Sequence, residues 1–148
     1  MAYISFQPSD YFNNKLYTGT GSSNALTGVG FQPDMVWVKG RDYAYNHVVS
    51  DSVRGEKQIY PNLTNAQDSN TGEITSFDSD GFTVGTGGDV NYNTRTFAAW
   101  NWKAGTTTGL SGGTLTPSSY SFNATSGFGI YAYTGTGSAA TIPHGIGS

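Results

Sequence analysis

Short runs of alternating hydrophobic and polar residues recur along this chain, with turn-forming residues between them. Residues 95–103 form the longest run. In it Ala98, Trp100 and Trp102 share one face, because successive side chains of a strand point to opposite sides. No segment keeps apolar residues at helical spacing for three turns, so the pattern predicts short β-strands rather than long helices. Further strand candidates are residues 35–39, 74–77, 82–84 and 128–133.

The turns between these strands favour antiparallel pairing. Asp80-Gly81 lies between two strand candidates, and Asp-Gly there predicts a hairpin because glycine tolerates the positive φ of the turn. Residues 61–73 and 104–119 are polar and predict surface loops. Together these features predict an all-β fold, a two-sheet antiparallel sandwich. We expect the following side chains on its inner faces: Trp37, Phe82, Val84, Trp100, Trp102, Phe128 and Ile130.

Composition narrows the class of protein. Only 11% of the 148 residues are charged while 14% are aromatic, the opposite of the balance that keeps a chain disordered. A net charge of −3 with scattered basic residues argues against a nucleic-acid partner. No stretch has the length and hydrophobicity of a membrane span. We therefore expect one globular domain that binds neither nucleic acid nor membrane.

Cysteine is absent, which excludes disulfides and thiolate metal ligands. Residues 1–6 lack the basic and apolar regions of a signal peptide. We expect synthesis in a cytosol without export, and no cofactor.

The hexapeptide Tyr17–Ser22 returns letter for letter as Tyr133–Ser138, a shift of 116 positions. A Gly-x-Gly motif follows each copy, with a one-residue offset in the second, and self-similarity at a fixed period is typical of repeated structural units. The repeat fits a fragment of a longer protein, or a short protein whose last strand pairs where a neighbour's would. The expected organisation is a leader (1–15), a first sandwich unit (16–105), a Gly/Thr/Ser-rich loop or linker (106–119), and a closing strand with the start of a truncated second repeat (120–148).

Several motifs together resemble a repeated domain of bacteriophage virion proteins, found especially in tail-fibre and head-fibre type proteins of marine phages. Gly30–Asp42 reads Gly-Phe-Gln-Pro-Asp-Met-Val-Trp-Val-Lys-Gly-Arg-Asp, and Ser76–Gly85 reads Ser-Phe-Asp-Ser-Asp-Gly-Phe-Thr-Val-Gly. The resemblance covers nearly the whole chain. Its other matching segments are Ser5–Phe12, Asp51–Gly55, Ala99–Gly105 and the terminal residues 127–147.

The resemblance implies a β-sandwich akin to concanavalin-type lectin folds, with a structural or host-attachment role in the virion. It implies no catalytic residues. The expected partners are other virion proteins and further copies of the chain, since unpaired edge strands favour association. A homo-oligomer follows, trimeric if the protein is fibre-like.

Residues that carry chemistry are few. Residues 47–52 contain a His, two Ser and an Asp, but a hydrolytic triad needs an aligned relay, and no Gly-x-Ser-x-Gly occurs. The only glutamates, Glu56 and Glu73, fall in separate loop-like regions, whereas glycan hydrolysis needs two carboxylates that flank the bond. We therefore expect a protein that is not an enzyme, with a polysaccharide depolymerase as an alternative.

Two binding sites are compatible with the sequence. Asp78 and Asp80, with Asp89 further along, could supply oxygen ligands to Ca²⁺, although Asp-Ser-Asp-Gly is more typical of a structural turn. Tyrosine with polar neighbours suits a glycan or a protein partner, because sugar rings stack on aromatic faces. A carbohydrate-binding lectin module is therefore the main alternative function. The candidate contact residues are Arg41, Asp42, Tyr43, Tyr45 and Asn46.

Overall fold

The structure, a computed structural model, describes residues 6–68 and 72–147. Within them lie ten strands, a 3-10 helix at Pro8–Asp10 and one helical turn, α1, at Gly88–Asn91. The fold is all-β, as predicted. None of the helices in this described part is long and apolar enough to cross a membrane. The strands are β1 (Phe12–Thr18), β2 (Asn24–Thr27), β3 (Met35–Gly40), β4 (Val48–Asp51), β5 (Gly55–Ile59), β6 (Ile74–Asp78), β7 (Gly81–Val84), β8 (Thr96–Trp102), β9 (Ser119–Asn123) and β10 (Phe128–Ala132).

The larger sheet has five antiparallel strands in the order β1-β8-β3-β4-β5. β1 pairs along the whole of β8, with Phe12 opposite Trp102. β3 pairs with the other edge of β8, with Trp37 opposite Trp100. The strand predicted over residues 95–103 therefore lies inside the sheet, between strands that come from much earlier in the chain.

The second sheet has three antiparallel strands in the order β2-β7-β6. The predicted hairpin at Asp80-Gly81 joins β6 to β7, and Gly81 has φ +153°. A Cβ at Gly81 would overlap the carbonyl oxygen of Leu26, so β2 and β7 approach closely because this residue has no side chain. The Asp80 carboxylate accepts hydrogen bonds from the backbone N–H groups of Gly28 (2.9 Å) and Gly30 (2.6 Å), which lower the Asp80 pKa. The turn is thus fixed by long-range contacts as well as by its own sequence.

The hydrophobic core takes side chains from both of these sheets, which is consistent with a sandwich-like fold. Phe82 and Val84 are fully buried there, as predicted. The core side chains from the larger sheet are Val36, Val38, Val48, Phe97 and Ala99, and those from the smaller sheet are Leu26, Ile74, Phe82 and Val84.

The prediction that the three tryptophans fill this core is wrong. Trp37, Trp100 and Trp102 are only partly buried, and they alternate along β3 and β8 with the residues that enter the core. Phe97 and Ala99 take the inner positions of β8, both fully buried. Alternation fixes which residues share a face, but size alone does not say which face is inside.

The hairpin β9–β10 forms a separate two-stranded sheet. Phe128 and Ile130 lie on it and are partly buried, so the prediction that they share the sandwich core is also wrong. Asp34 links the hairpin to the sandwich: its Oδ1 accepts from the Ser121 hydroxyl at 3.0 Å and its Oδ2 from the Ala104 N–H at 2.8 Å. The hairpin therefore packs against the end of β3 and β8.

Three predicted segments extend beyond the described residues. The polar loop at 61–73 forms no strand in its described part, and residues 69–71 lie outside that part. Of the leader (1–15), residues 1–5 lie outside it, and so does residue 148 of the final segment. Residues 104–118 form no strand, apart from one bridge between Thr106 and Phe122.

Candidate functional site

The outer face of the five-stranded sheet carries a row of large apolar side chains. Directly opposed residues of antiparallel strands share a face, and the pairings place Trp100, Trp37, Val49 and Ile59 in one line across β8, β3, β4 and β5. On β1 the same row ends at the exposed side chain of Asn14. This row lies on the side of the sheet opposite the core.

A hydrogen bond orients Trp37 within this row. Its Nε1–H donates to Nδ1 of His47 at 3.0 Å, so Nδ1 is the unprotonated nitrogen of that ring. Burial, and then the neighbouring charge of Lys39, lower the His47 pKa and favour the neutral ring. The remaining ring nitrogen, Nε2, then carries the proton and can donate to a ligand.

An open groove of about 290 Å³ lies over these residues. Trp37, His47, Trp100 and Trp102 line it. The Trp37 and Trp100 rings meet edge to face, with centroids 6.4 Å apart and an interplanar angle of 69°. The groove thus offers aromatic surface beside an imidazole, an arrangement that suits sugar rings or apolar side chains.

At one end of the groove, Trp102 lies between two phenylalanines. Phe12 from β1 lies 5.0 Å from it, and Phe128 from the hairpin stacks on it at 6.0 Å with an interplanar angle of 21°. A second cavity of about 360 Å³ adjoins these three rings and reaches Phe6 and Tyr11. The hairpin therefore covers this end of the outer face.

A second aromatic cluster lies in the segment between β3 and β4. Tyr43 packs edge to face on Tyr45, 4.3 Å between centroids, and both contact Tyr92. Tyr45 and Tyr92 are 41% and 49% exposed, whereas Tyr43 packs against the core. Asp89 adjoins the cluster and accepts from the backbone N–H of Asn46 at 3.1 Å.

Comparison with known protein families finds one match, a domain of unknown function (DUF7483), over residues 7–148. The chain belongs to this family. No curated protein and no solved structure matches it. The relation to phage fibre proteins and the concanavalin-type topology remain predictions, and the site must be interpreted from this DUF7483 domain's own residues.

The five candidate contact residues of this DUF7483 domain lie in one segment but have different roles. Asp42 Oδ1 accepts the backbone N–H of Thr96, and Tyr43 donates its hydroxyl to the Gly88 carbonyl at 2.7 Å. Arg41 and Tyr45 are exposed. Asn46 donates from Nδ2 to Asp89 and accepts from Asn62. Tyr43 and Asp42 thus hold the segment in place, which leaves Tyr45 and Arg41 as the better contact residues.

Sequence reasoning missed the contribution of Tyr92 to these surfaces, and it considered Asp89 and His47 only for other roles. Tyr92 and Asp89 reach the Tyr45 cluster from α1, and His47 reaches the groove because it directly precedes β4. A buried Val90 on α1 brings its neighbours close to β3. The contacts of Tyr45 with Tyr92 and of Asn46 with Asp89 join residues more than 40 positions apart and have no local sequence pattern.

The structure does not bring the three candidate calcium ligands together. Asp78 accepts from the hydroxyls of Ser76 (2.8 Å) and Thr83 (2.7 Å), Asp80 binds backbone N–H groups, and Asp89 binds Asn46. Across residues 6–68 and 72–147, no group of three His, Cys, Asp or Glu side chains could hold a metal ion. Each of the three carboxylates instead stabilises a turn or a loop.

The Ser, His and Asp residues of 47–52 do not form a relay in this structure. His47 accepts from Trp37, whereas Asp51 forms an ion pair with Arg54, 2.6 Å from Nη2 to Oδ2. The Ser52 hydroxyl donates to Asp34 at 2.7 Å. His47, Asp51 and Ser52 thus have partners outside this set, and the buried hydroxyl of Ser50 has no hydrogen-bond partner.

Glu73 is the most perturbed acid in the described part of this domain. It is 4% exposed, and its Oε2 has no hydrogen-bond partner. Burial, reinforced by the nearby charges of Asp89 and Asp68, raises the Glu73 pKa to about 7. The carboxylate lies against Gly87, where a Cβ would overlap it. The other glutamate, Glu56, is exposed on β5, so the two do not share an environment.

Proposed function

We propose that this domain is a non-enzymatic structural component of a phage virion, part of a fibre or a capsid decoration that serves assembly and host attachment. The observation that carries the proposal is the apolar outer face of the five-stranded sheet. Leu16, Phe12 and Ile59 are 57%, 39% and 38% exposed there, beside the partly buried indoles. Contiguous apolar surface of this kind suits contact with a partner, because leaving it in water costs free energy.

Assembly with further copies or with other virion proteins is the first use of this surface. β1 and β5 are the edges of the larger sheet. The backbone of Gln58 on β5 already pairs with Asp68, so β1 is the edge that presents backbone groups to a neighbouring strand. The motif resemblance to phage fibre proteins supports a homo-oligomer in the virion, made in the host cytoplasm.

Light scattering coupled to size-exclusion chromatography tests the assembly role. Leu16→Glu places a charge on the outer face at a position that is already 57% exposed, so the fold should survive. Leu63→Glu is the matched control, a 42% exposed leucine in the loop after β5. We expect Leu16→Glu, and not Leu63→Glu, to reduce the oligomer mass. A monomeric wild-type protein at micromolar concentration would contradict the proposal.

Carbohydrate binding is the second candidate function, and the groove lined by Trp37, Trp100 and His47 favours it. Indole faces stack on the C–H faces of pyranose rings, while a protonated imidazole Nε2 and the Asn14 amide supply polar contacts at the edge. This would give a virion domain the means to attach to a host surface glycan.

A glycan array of bacterial surface polysaccharides distinguishes the two candidate surfaces. Trp37→Ala and Trp100→Ala remove the groove, whereas Tyr45→Ala removes the exposed ring of the loop cluster. We expect the tryptophan variants to lose glycan binding and Tyr45→Ala to retain it. Loss of binding in Tyr45→Ala alone would move the site to the loop cluster, and wild-type protein that binds no glycan would eliminate this candidate.

A further inference from the structure

The C-terminal part of the chain repeats the start of the fold more extensively than the hexapeptide suggests. The same shift of 116 places Phe122 on Phe6 and Phe128 on Phe12. Phe12 begins β1 and Phe128 begins β10, so the strands start at equivalent positions. The repeat therefore extends to secondary structure.

The loops after the two strands also share their local hydrogen bonds. The Thr20 hydroxyl donates to the Ser22 carbonyl at 2.8 Å and accepts from the Ser22 N–H at 3.3 Å. Thr136 and Ser138 form the same pair, at 3.3 and 3.4 Å. The glycines of both loops share positive φ angles. Gly21 has 69° and Gly137, 116 positions on, has 73°; at a shift one residue longer, Gly28 has 82° and Gly145 65°, and Gly30 has 90° and Gly147 85°.

After each loop the chain passes close to equivalent residues of the preceding strand, Lys15 of β1 and Tyr131 of β10. A Cβ at Gly28 would lie 3.4 Å from Nζ of Lys15 on β1. Tyr131, the equivalent of Lys15, donates its hydroxyl to the carbonyl of His144, next to Gly145. β10 and the loop after it thus share local features with β1 and the loop that follows it, although residues 133–147 form no strand equivalent to β2.

The hydrogen-bonding edge of β10 matches that of β1. Lys103 N–H donates to the Tyr11 carbonyl, so the odd-numbered residues of β1 direct their backbone groups toward β8. In β10, Ala132 accepts from the Ser118 N–H on the β9 side. Alternation then directs the backbone groups of Gly129 and Tyr131 to the opposite edge, which no strand of the described residues covers.

We infer that this free edge of β10 takes a strand equivalent to β8 from a second copy of the same fold. In the register that β1 uses, Gly129 lies opposite the position of Asn101, and Tyr131 opposite that of Ala99. Residues 128–147 then serve as the first strands of the second copy. The inference rests on the internal repeat and does not depend on what the outer face binds.

The junction between the two copies is already present in this chain. Trp102 contacts Phe12 of its own unit and Phe128, the equivalent phenylalanine of the next. Asp34 holds the hairpin through Ser121 and the Ala104 N–H. Successive copies would therefore be joined in a fixed orientation rather than through a flexible linker.

A tandem protein tests the inference, with residues 1–132 followed directly by residues 17–148 of a second copy. The second copy then lacks its own residues 12–16, which β10 must replace. Hydrogen exchange measured by NMR gives the readout in the tandem and in the single chain. We expect the Gly129 and Tyr131 amides to exchange about 100-fold more slowly in the tandem. The Ile130 amide, which faces β9, should be protected in both.

A slipped tandem is the matched control. It joins residues 1–133 to residues 17–148, which inserts one extra residue between β10 and the loop of the second copy. This insertion exchanges the two faces of β10 relative to that loop. We expect no added protection and rapid proteolysis of the second copy. The inference is overturned if the slipped tandem protects Gly129 and Tyr131 equally. It is also overturned if the in-register tandem leaves them unprotected, or if they are already protected in the single chain.

Discussion

The buried Glu73 carboxyl makes the stability of this domain depend on pH in a direction opposite to that of a typical paired acid. Its pKa rises from 4.5 to about 7 in the folded protein, chiefly through burial. Between these values the unfolded chain has released the proton while the folded protein still holds it. The contribution of Glu73 to stability is therefore complete below pH 4.5 and is lost as the pH rises through 7.

The size of this loss follows from the pKa difference. One pKa unit corresponds to about 1.4 kcal/mol, so a rise from 4.5 to about 7 gives a loss of about 3 kcal/mol by pH 8. Glu73→Gln keeps the shape of the side chain and removes its titration. We expect this variant to be about 3 kcal/mol more stable, relative to wild type, at pH 8 than at pH 4.5.

Urea unfolding followed by circular dichroism between pH 4.5 and 8 measures the effect. Comparing the variant's change in unfolding free energy at the two pH values cancels any contribution that does not depend on pH. Glu56→Gln is the control, since it removes the same charge from the exposed glutamate of β5. Its free energy of unfolding should stay within about 0.5 kcal/mol of the wild-type value across this pH range. A Glu73→Gln profile parallel to that of wild type would refute the burial argument.

Three further predictions concern the outer face, the hairpin and the core. Below pH 6.5, protonation of His47 should break its hydrogen bond with Trp37 and shift tryptophan fluorescence. His47→Phe should abolish this pH response, and a variant that responds to pH as the wild type does would contradict the geometry. Asp34→Ala leaves the Ser121 hydroxyl without its acceptor and should lower the free energy of unfolding, measured in urea, by about 2–4 kcal/mol. Proteolysis after residue 104 should also become faster. Phe82→Ala should lower the free energy of unfolding by about 3–5 kcal/mol, and Trp37→Ala should lower it by less than about 2 kcal/mol. Equal losses in the two variants would place Trp37 in the core.

Local pattern was sufficient for five of the ten described strands (β3, β6, β7, β8 and β10) and for the main turn of this fold, but it did not predict β1, β2, β4, β5 or β9. The strand over residues 95–103 and the Asp-Gly hairpin at Gly81 follow from alternation and from the conformational freedom of glycine, both of which act between close neighbours. Local pattern did not determine which face of β8 is buried in the core. Trp100 and Ala99 each suit a buried position, and the choice depends on the space left between two sheets, which alternation does not specify.

The candidate site was harder to predict for a related reason. Tyr43 and Tyr45 are two residues apart and chemically alike, yet Tyr43 packs on the core while Tyr45 is 41% exposed. The difference arises because the Tyr43 hydroxyl reaches the Gly88 carbonyl on α1, a contact across 45 positions. Glu73 is similar, since its pKa is raised first by burial and then by the charge of Asp89 on the same helical turn, neither of which the local sequence shows.

The separation of core from outer face has a consequence for how binding can change in this family. The core side chains come from one face of each sheet, while Trp37 and Trp100 lie on the other face, with only the backbone of β3 and β8 between them. Substitutions on the outer face therefore alter contact chemistry with little loss of packing, whereas those at Phe97 or Val38 act on stability first. A domain built this way can acquire a new partner without a new fold.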